Sequence, residues 1–116
     1  MTRILLVDDQ PSFRNHFCRM LIQAGQDVVG EANSLHETEL RFWSLQPELV
    51  VLDMILPDVS GMEGIQRLKE MQPEVRVIMI SAYLDQSKIY ESAALDAGAE
   101  AFFSKDDLDF EVVRNW

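Results

Sequence analysis

Five polar residues stand directly behind short apolar runs. Asp8 and Asp9 follow Ile4-Leu5-Leu6-Val7, Asp53 follows Leu49-Val50-Val51-Leu52, Ser81 follows Val77-Ile78-Met79-Ile80, and Lys105 follows Ala101-Phe102-Phe103-Ser104. Runs this short are strands rather than helices, and the Val- and Leu-rich ones suit strands buried on both faces. A buried strand does not end in a bare carboxylate unless a partner meets it there. In a parallel sheet all carboxyl ends share one edge, so these residues would converge although the sequence scatters them. Crowded carboxylates repel, and a hard divalent cation with oxygen ligands relieves them, Mg²⁺ where phosphate is involved. Lys105 adds a compact positive charge and Ser81 a hydroxyl, both suited to phosphoryl oxygens. The chemistry this set can do is in-line attack of Asp53 on phosphorus, with Mg²⁺ and Lys105 on the equatorial oxygens and a phosphoaspartate as product. No general base is needed, because a carboxylate is already ionised at neutral pH.

The elements that would position these groups alternate. Pro11 opens a helix whose apolar face carries Phe13, Phe17, Met20, Leu21 and Ala24, with Gly25 as the stop. Val28–Ala32 is a second strand, and Ser34 with Glu37 makes a capping box for a helix ending before Pro47. In that helix Glu39 falls at a core-facing position and Leu40 and Trp43 on a neighbouring face, which predicts a slightly rotated helix rather than an exposed contact patch. Ser60 with Glu63 caps a helix from about Gly61 to Met71. Asp85 is placed to cap a helix with Ile89, Ala93, Ala94 and Ala97 on its inner face. Lys105-Asp106-Asp107 leads into a last helix of about two and a half turns with Leu108, Val112 and Val113, which stops abruptly at Trp116 as though truncated. Five strands alternating with five helices predict a three-layer α/β/α domain with a mostly parallel sheet, a single domain over residues 1–116.

Bulk properties narrow the function. A net charge of −10 repels phosphate backbones and anionic membranes, so direct nucleic-acid binding is not expected of this domain. The single Cys18 excludes an internal disulfide, and with no apolar run near membrane-spanning length the expectation is a soluble, cytoplasmic protein. His16 and His36 lack partners at metal spacing. An aspartyl-phosphate hydrolase would want an acid two residues after its nucleophile, where this chain has Ile55, so an enzyme acting on a separate substrate is not expected. A nucleotide or flavin binder would want glycines where Asp8-Asp9-Gln10-Pro11 stands.

In this order, Asp8-Asp9, Asp53 with Pro57 and Gly61, Ser81-Ala82, then Gly98-Ala99, Phe102 and Lys105, the chain resembles the receiver domains of two-component response regulators, the family that includes the chemotaxis receiver. The resemblance implies a doubly wound five-stranded parallel sheet of flavodoxin-like strand order 2-1-3-4-5. It also implies that Asp53 accepts a phosphoryl group from a sensor histidine kinase or phosphotransfer protein. Mg²⁺ would be held by Asp9, Asp53 and the Ile55 backbone carbonyl, with Asp8 acting through water. Ser81 and Phe102 would form the switch that reshapes the surface of the fourth helix, fifth strand and fifth helix. A phosphorylation-dependent homodimer is a further expectation. Phe102, where many relatives have Tyr, points to a switch driven by packing alone. Ile55 and Tyr83, each two residues past a site residue, would shield the phosphoaspartate and slow its hydrolysis. Lys105-Asp106 replaces the lysine-proline of many receivers. With Gly98-Ala99-Glu100-Ala101-Phe102 it looks more like receivers joined to helix-turn-helix DNA-binding domains of the quorum-regulator type, with transcription as the output. A receiver-like module that binds protein without phosphorylation is the alternative, although such domains typically lose part of the acidic set or the lysine.

Overall fold

The structure, a computed structural model, describes residues 1–82 and 87–116. Tyr83 and the capping role expected of Asp85 lie outside the described residues. In chain order the elements are β1 (Arg3–Val7), α1 (Pro11–Gln23), β2 (Asp27–Ala32), α2 (Leu35–Leu45), β3 (Leu49–Asp53), α3 (Gly61–Met71), β4 (Arg76–Ser81), α4 (Ser87–Ala97), β5 (Ala101–Ser104), a 3₁₀ turn over Lys105–Asp107, and α5 (Phe110–Val113). The strands form one sheet of order β2-β1-β3-β4-β5, parallel throughout, as expected of a doubly wound flavodoxin-like fold.

Strand β3 runs through the centre, and all five of its residues are buried. Its side chains alternate between two apolar layers. Val50 and Leu52 join Leu5, Phe42, Ile65 and Leu68 on one face, while Leu49 and Val51 join Ile4, Phe17, Leu21 and Ile80 on the other. Each fully buried side chain of this kind contributes about 1.5–3 kcal/mol, so the two layers fix the sheet as a rigid platform.

Helix starts follow their capping signals. The Ser34 hydroxyl accepts the Glu37 N–H at 3.1 Å and the Ser60 hydroxyl accepts the Glu63 N–H at 3.3 Å. Helix α1 stops at Gly25, whose φ of +90° is open to glycine without strain.

Three expectations need correction. The last helix is a single turn of four residues, because Lys105–Asp107 take a 3₁₀ turn and Asp109 caps afresh by accepting the Val112 N–H at 2.9 Å. Leu108 is buried but lies ahead of that helix. In α2 the core face is Leu35, Thr38 and Phe42, while Glu39 pairs with Arg67 at 2.6 Å on the flank, so Leu40 and Trp43 are left 71% and 56% exposed instead of turning inward. In α4 the inward residues are Tyr90, Ala94 and Ala97; Ile89 and Ala93 face solvent.

Candidate phosphoryl-transfer site

Strand register does most of the assembly. Val7 pairs with Leu52, so Asp8 falls beside Asp53; Asp53 pairs with Ile80 and Ser81 with Ser104, so Ser81 and Lys105 follow one step on. Lys105 starts two strands away from Asp53, roughly 10 Å at the usual spacing of parallel strands, which a four-carbon stem can cross. Its ammonium lies 3.2 Å from Asp53 Oδ2 and 2.7 Å from Asp8 Oδ2, and its side chain is only 10% exposed.

The opposite face of Asp53 is set by the β3–α3 loop. Asp53 Oδ1 accepts the Ile55 N–H at 3.2 Å, and the Gly61 N–H donates to the Met54 carbonyl at 2.6 Å, folding the loop back on the strand. A Cβ at Gly61 would come within 2.8 Å of the Asp53 carbonyl oxygen and closer still to Met54 and Met79, so only glycine lets α3 begin this near the acid.

Electrostatics at this edge are unfavourable for ionised acids. Burial and the neighbouring Asp8 charge push the Asp53 carboxyl up to about 6, against the opposing pull of Lys105 and the Ile55 N–H. Three carboxylates facing one ammonium leave two negative charges uncompensated. Carboxylate oxygens of Asp8, Asp9 and Asp53 all lie within 4.8 Å of one another. Asp8 Oδ2 is fully buried and, despite the ammonium at 2.7 Å, receives no aligned hydrogen bond among the described residues. A spare buried lone pair in an all-oxygen set short of two positive charges fits a hard divalent cation such as Mg²⁺.

Asp8, Asp9, Asp53, Ser81 and Lys105 all follow strand ends at this edge. Asp8, Asp53, Ser81 and Phe102 are buried, Asp9 is exposed, and Ile55 is 49% exposed at the rim. His16 and His36 are exposed and lie outside this group.

A family model for the response regulator receiver domain matches residues 4–113. The chain belongs to that family. This receiver is 31% identical over 112 residues to chemotaxis protein CheY of Thermotoga maritima, covering 97% of this chain and 92% of CheY. It is 30% identical over 104 residues to response regulator protein VraR of Staphylococcus saprophyticus, covering 89% of this chain but only 49% of VraR. Among solved structures it superposes on a LuxR-family two-component response regulator from Aurantimonas with TM-score 0.89 and 27% identity, covering 98% of this chain and 81% of that one. The signal receiver domain of the response regulator NarL from Mycobacterium tuberculosis gives TM-score 0.85 and 30% identity, with 98% and 91% covered. The receiver thus belongs to a family of two-component phosphorelay signalling that is not a classic enzyme family, and among its described residues no helix is long and apolar enough to cross a membrane.

Several residues around the receiver's acidic edge escaped the sequence reading. The Gln10 N–H donates to Asp8 Oδ1 at 2.8 Å, and Arg14 donates to the Asp8 carbonyl at 2.6 Å while pairing with Glu31 at 3.0 Å. Asp58 accepts the Leu35 and His36 N–H groups at 3.2 and 2.8 Å, tying the loop after Asp53 to the start of α2, and these amides hold its carboxyl below the usual range although burial opposes them. Nothing local announces a contact 23 residues away. Phe13, read only as a core-facing helix residue, lies with its ring 4.2 Å from the Lys105 ammonium.

Proposed function

We propose that Asp53 accepts a phosphoryl group from the phosphohistidine of a sensor histidine kinase or phosphotransfer protein. The observation that carries this reading is the convergence on one buried carboxylate, 7% exposed at the tip of the central strand, of an ammonium at 3.2 Å and two further acids. An Asp53 oxygen forms the new bond to phosphorus as the phosphorus–nitrogen bond breaks; the imidazole keeps the bonding pair and takes up a proton from water. Lys105 balances charge developing on the phosphoryl oxygens, and the Ile55 N–H holds Asp53 Oδ1. Asp9, Asp53 and the Ile55 carbonyl, with Asp8 through water, would hold Mg²⁺, whose charge when bound offsets that of the phosphoryl group.

The reading extends to the switch. Ser81, fully buried at the tip of β4, supplies the hydroxyl for a phosphoryl oxygen, and Phe102 on the neighbouring strand fills the space it leaves. Phe102 has no hydroxyl and packs in the same layer as Met79, Ala94 and Ala99, which supports a packing-driven change on the surface of α4, β5 and α5. Likeness to VraR, twice the matched length, and to LuxR-family regulators supports transcription control through an output domain, with phosphorylation-dependent homodimerisation of the receiver as its means. Ile55 at the rim would slow hydrolysis of the phosphoaspartate.

The test is incubation with Mg²⁺ and acetyl phosphate or beryllofluoride, followed by mass spectrometry or NMR. An adduct that Asp53→Ala abolishes is expected, with a dimer on gel filtration. An unmodified native chain would leave the phosphorylation-independent binding module as the better reading. An unchanged phosphoryl lifetime in Ile55→Asn would remove the shielding role.

A further inference from the structure

We propose that Phe13 is a positioning residue for Lys105, its ring face holding the ammonium at the place from which it serves Asp53. This rests on the reading of Asp53 as phosphoacceptor. The ammonium lies 4.2 Å from the ring centroid, inside the range where the negative face of an aromatic ring attracts a cation. Its other neighbours are Asp8 Oδ2 at 2.7 Å, Asp53 Oδ2 at 3.2 Å and Gln10 Oε1 at 3.5 Å. The nearest of these contacts lacks hydrogen-bond alignment, so charge alone does not define where the ammonium points. The two carboxylates are also groups that change partners when a cation or phosphoryl group arrives. The ring is the apolar member of the set, and unlike the Gln10 amide it attracts the ammonium without taking up one of its N–H donors.

The ring is itself held in place. Phe13 is the third residue of α1, behind Pro11, so the first helical turn sets it beneath the carboxyl edge of the sheet. It stacks on Phe17 with centroids 5.4 Å apart and an interplanar angle of 22°, and Phe17, only 1% exposed, meets Trp116 edge-on at 5.9 Å. A flexible lysine, which loses considerable rotamer freedom on being fixed, thereby has its ammonium set over one ring of an aromatic stack. An aliphatic side chain at position 13 would fill the same space without attracting the cation, and that difference makes the assignment testable.

The experiment compares the native chain with Phe13→Leu, Phe13→Met and Phe13→Tyr by NMR of the Lys105 ε-methylene, by rate of modification with acetyl phosphate and Mg²⁺, and by urea midpoint. Lys105 resonances should be displaced by the ring current in the native chain and in Phe13→Tyr, and should return to ordinary lysine positions in Phe13→Leu and Phe13→Met. Loss of the cation–ring attraction should slow modification by about three- to tenfold in Leu and Met, with Tyr restoring it. Ordinary Lys105 shifts in the native chain, or a folded Leu or Met variant modified at the native rate, would overturn the proposal. A native chain that takes no phosphoryl group would sink the phosphoacceptor reading instead, while the ring-current comparison would still decide whether Phe13 holds Lys105.

Discussion

The two edges of the sheet are built on opposite principles. At the amino edge, polar groups are closed by fixed bonds: the Thr2 N–H donates to Gln26 Oε1 at 2.9 Å, Gln26 Nε2 donates to the Val113 carbonyl at 3.0 Å, the Thr2 hydroxyl donates to the Trp116 carbonyl at 3.0 Å, and Arg76 reaches the same carbonyl at 2.9 Å. Arg76 and Glu100 add two matched contacts of 2.8 Å, which hold the Glu100 carboxyl below its usual range and raise the Arg76 guanidinium above its own. At the carboxyl edge, acids outnumber their ammonium, Asp8 Oδ2 goes without an aligned donor among the described residues, and burial with the Asp8 charge raises the Asp53 carboxyl to about 6. One edge is satisfied and the other is left unfinished. A site that must gain a cation and a phosphoryl group cannot already be neutral, and the surplus charge is tolerable because the platform is secured elsewhere.

The largest expected effect comes from removing the ammonium that meets Asp8 and Asp53 at the unfinished edge. Lys105→Ala leaves two buried acids facing each other and should lower stability in urea by about 3 kcal/mol at neutral pH, with a smaller loss at pH 5, where Asp53 is protonated. An unchanged urea midpoint would mean that the ammonium is not the group holding the acids together.

Next, and opposite in sign, is Asp53→Asn. Because the folded carboxyl is raised to about 6 from 3.8, the protonated form favours folding. That contribution is complete below pH 3.8 and disappears as pH rises through 6. In metal-free buffer at pH 7 the ionised acid therefore weakens the fold, and Asp53→Asn should stabilise it by about 1–3 kcal/mol, with the gain vanishing near pH 4. A gain independent of pH would point to packing rather than charge.

At the closed edge, Gln26→Ala strands the Thr2 N–H and a carbonyl of α5 and should cost about 1–2 kcal/mol. The rate of modification by acetyl phosphate should stay at the native value, and a slowed rate would show that the two edges are not independent. Glu100→Gln loosens a half-exposed ion pair and should cost only about 0.5 kcal/mol, less still in high salt. A cost matching that of Gln26→Ala would place Glu100 in the same clasp.

Alternation of apolar runs with capped helices made the layers legible from sequence, and parallel strand order then brought Asp8, Asp53, Ser81 and Lys105 to one edge without knowledge of any side-chain contact. Periodicity was less informative where a face is shared. In α2 the polar Thr38 is fully buried while Leu40 is exposed, because Glu39 is satisfied by Arg67 from α3 and the helix need not rotate to hide its neighbours. The last helix is shorter than its pattern because the Ser104 hydroxyl accepts the Asp106 N–H and starts a 3₁₀ turn. Phe13 and Asp58 act on segments 92 and 23 residues away by position (13 to 105 and 58 to 35), and such pairings are visible only once the chain is folded.

The bond between Thr2 and the Trp116 carbonyl spans 114 positions in sequence. With Gln26 and Arg76 on the same segment, it clasps the entry to β1 against the last turn without a covalent link. Ends of a domain ordinarily fray one at a time, each at little cost. Here the last turn cannot loosen without releasing the residue that enters β1, and β1 lies between β2 and β3. The last turn and the entry to β1 therefore loosen together, as a single cooperative event that draws on the stability of the whole sheet.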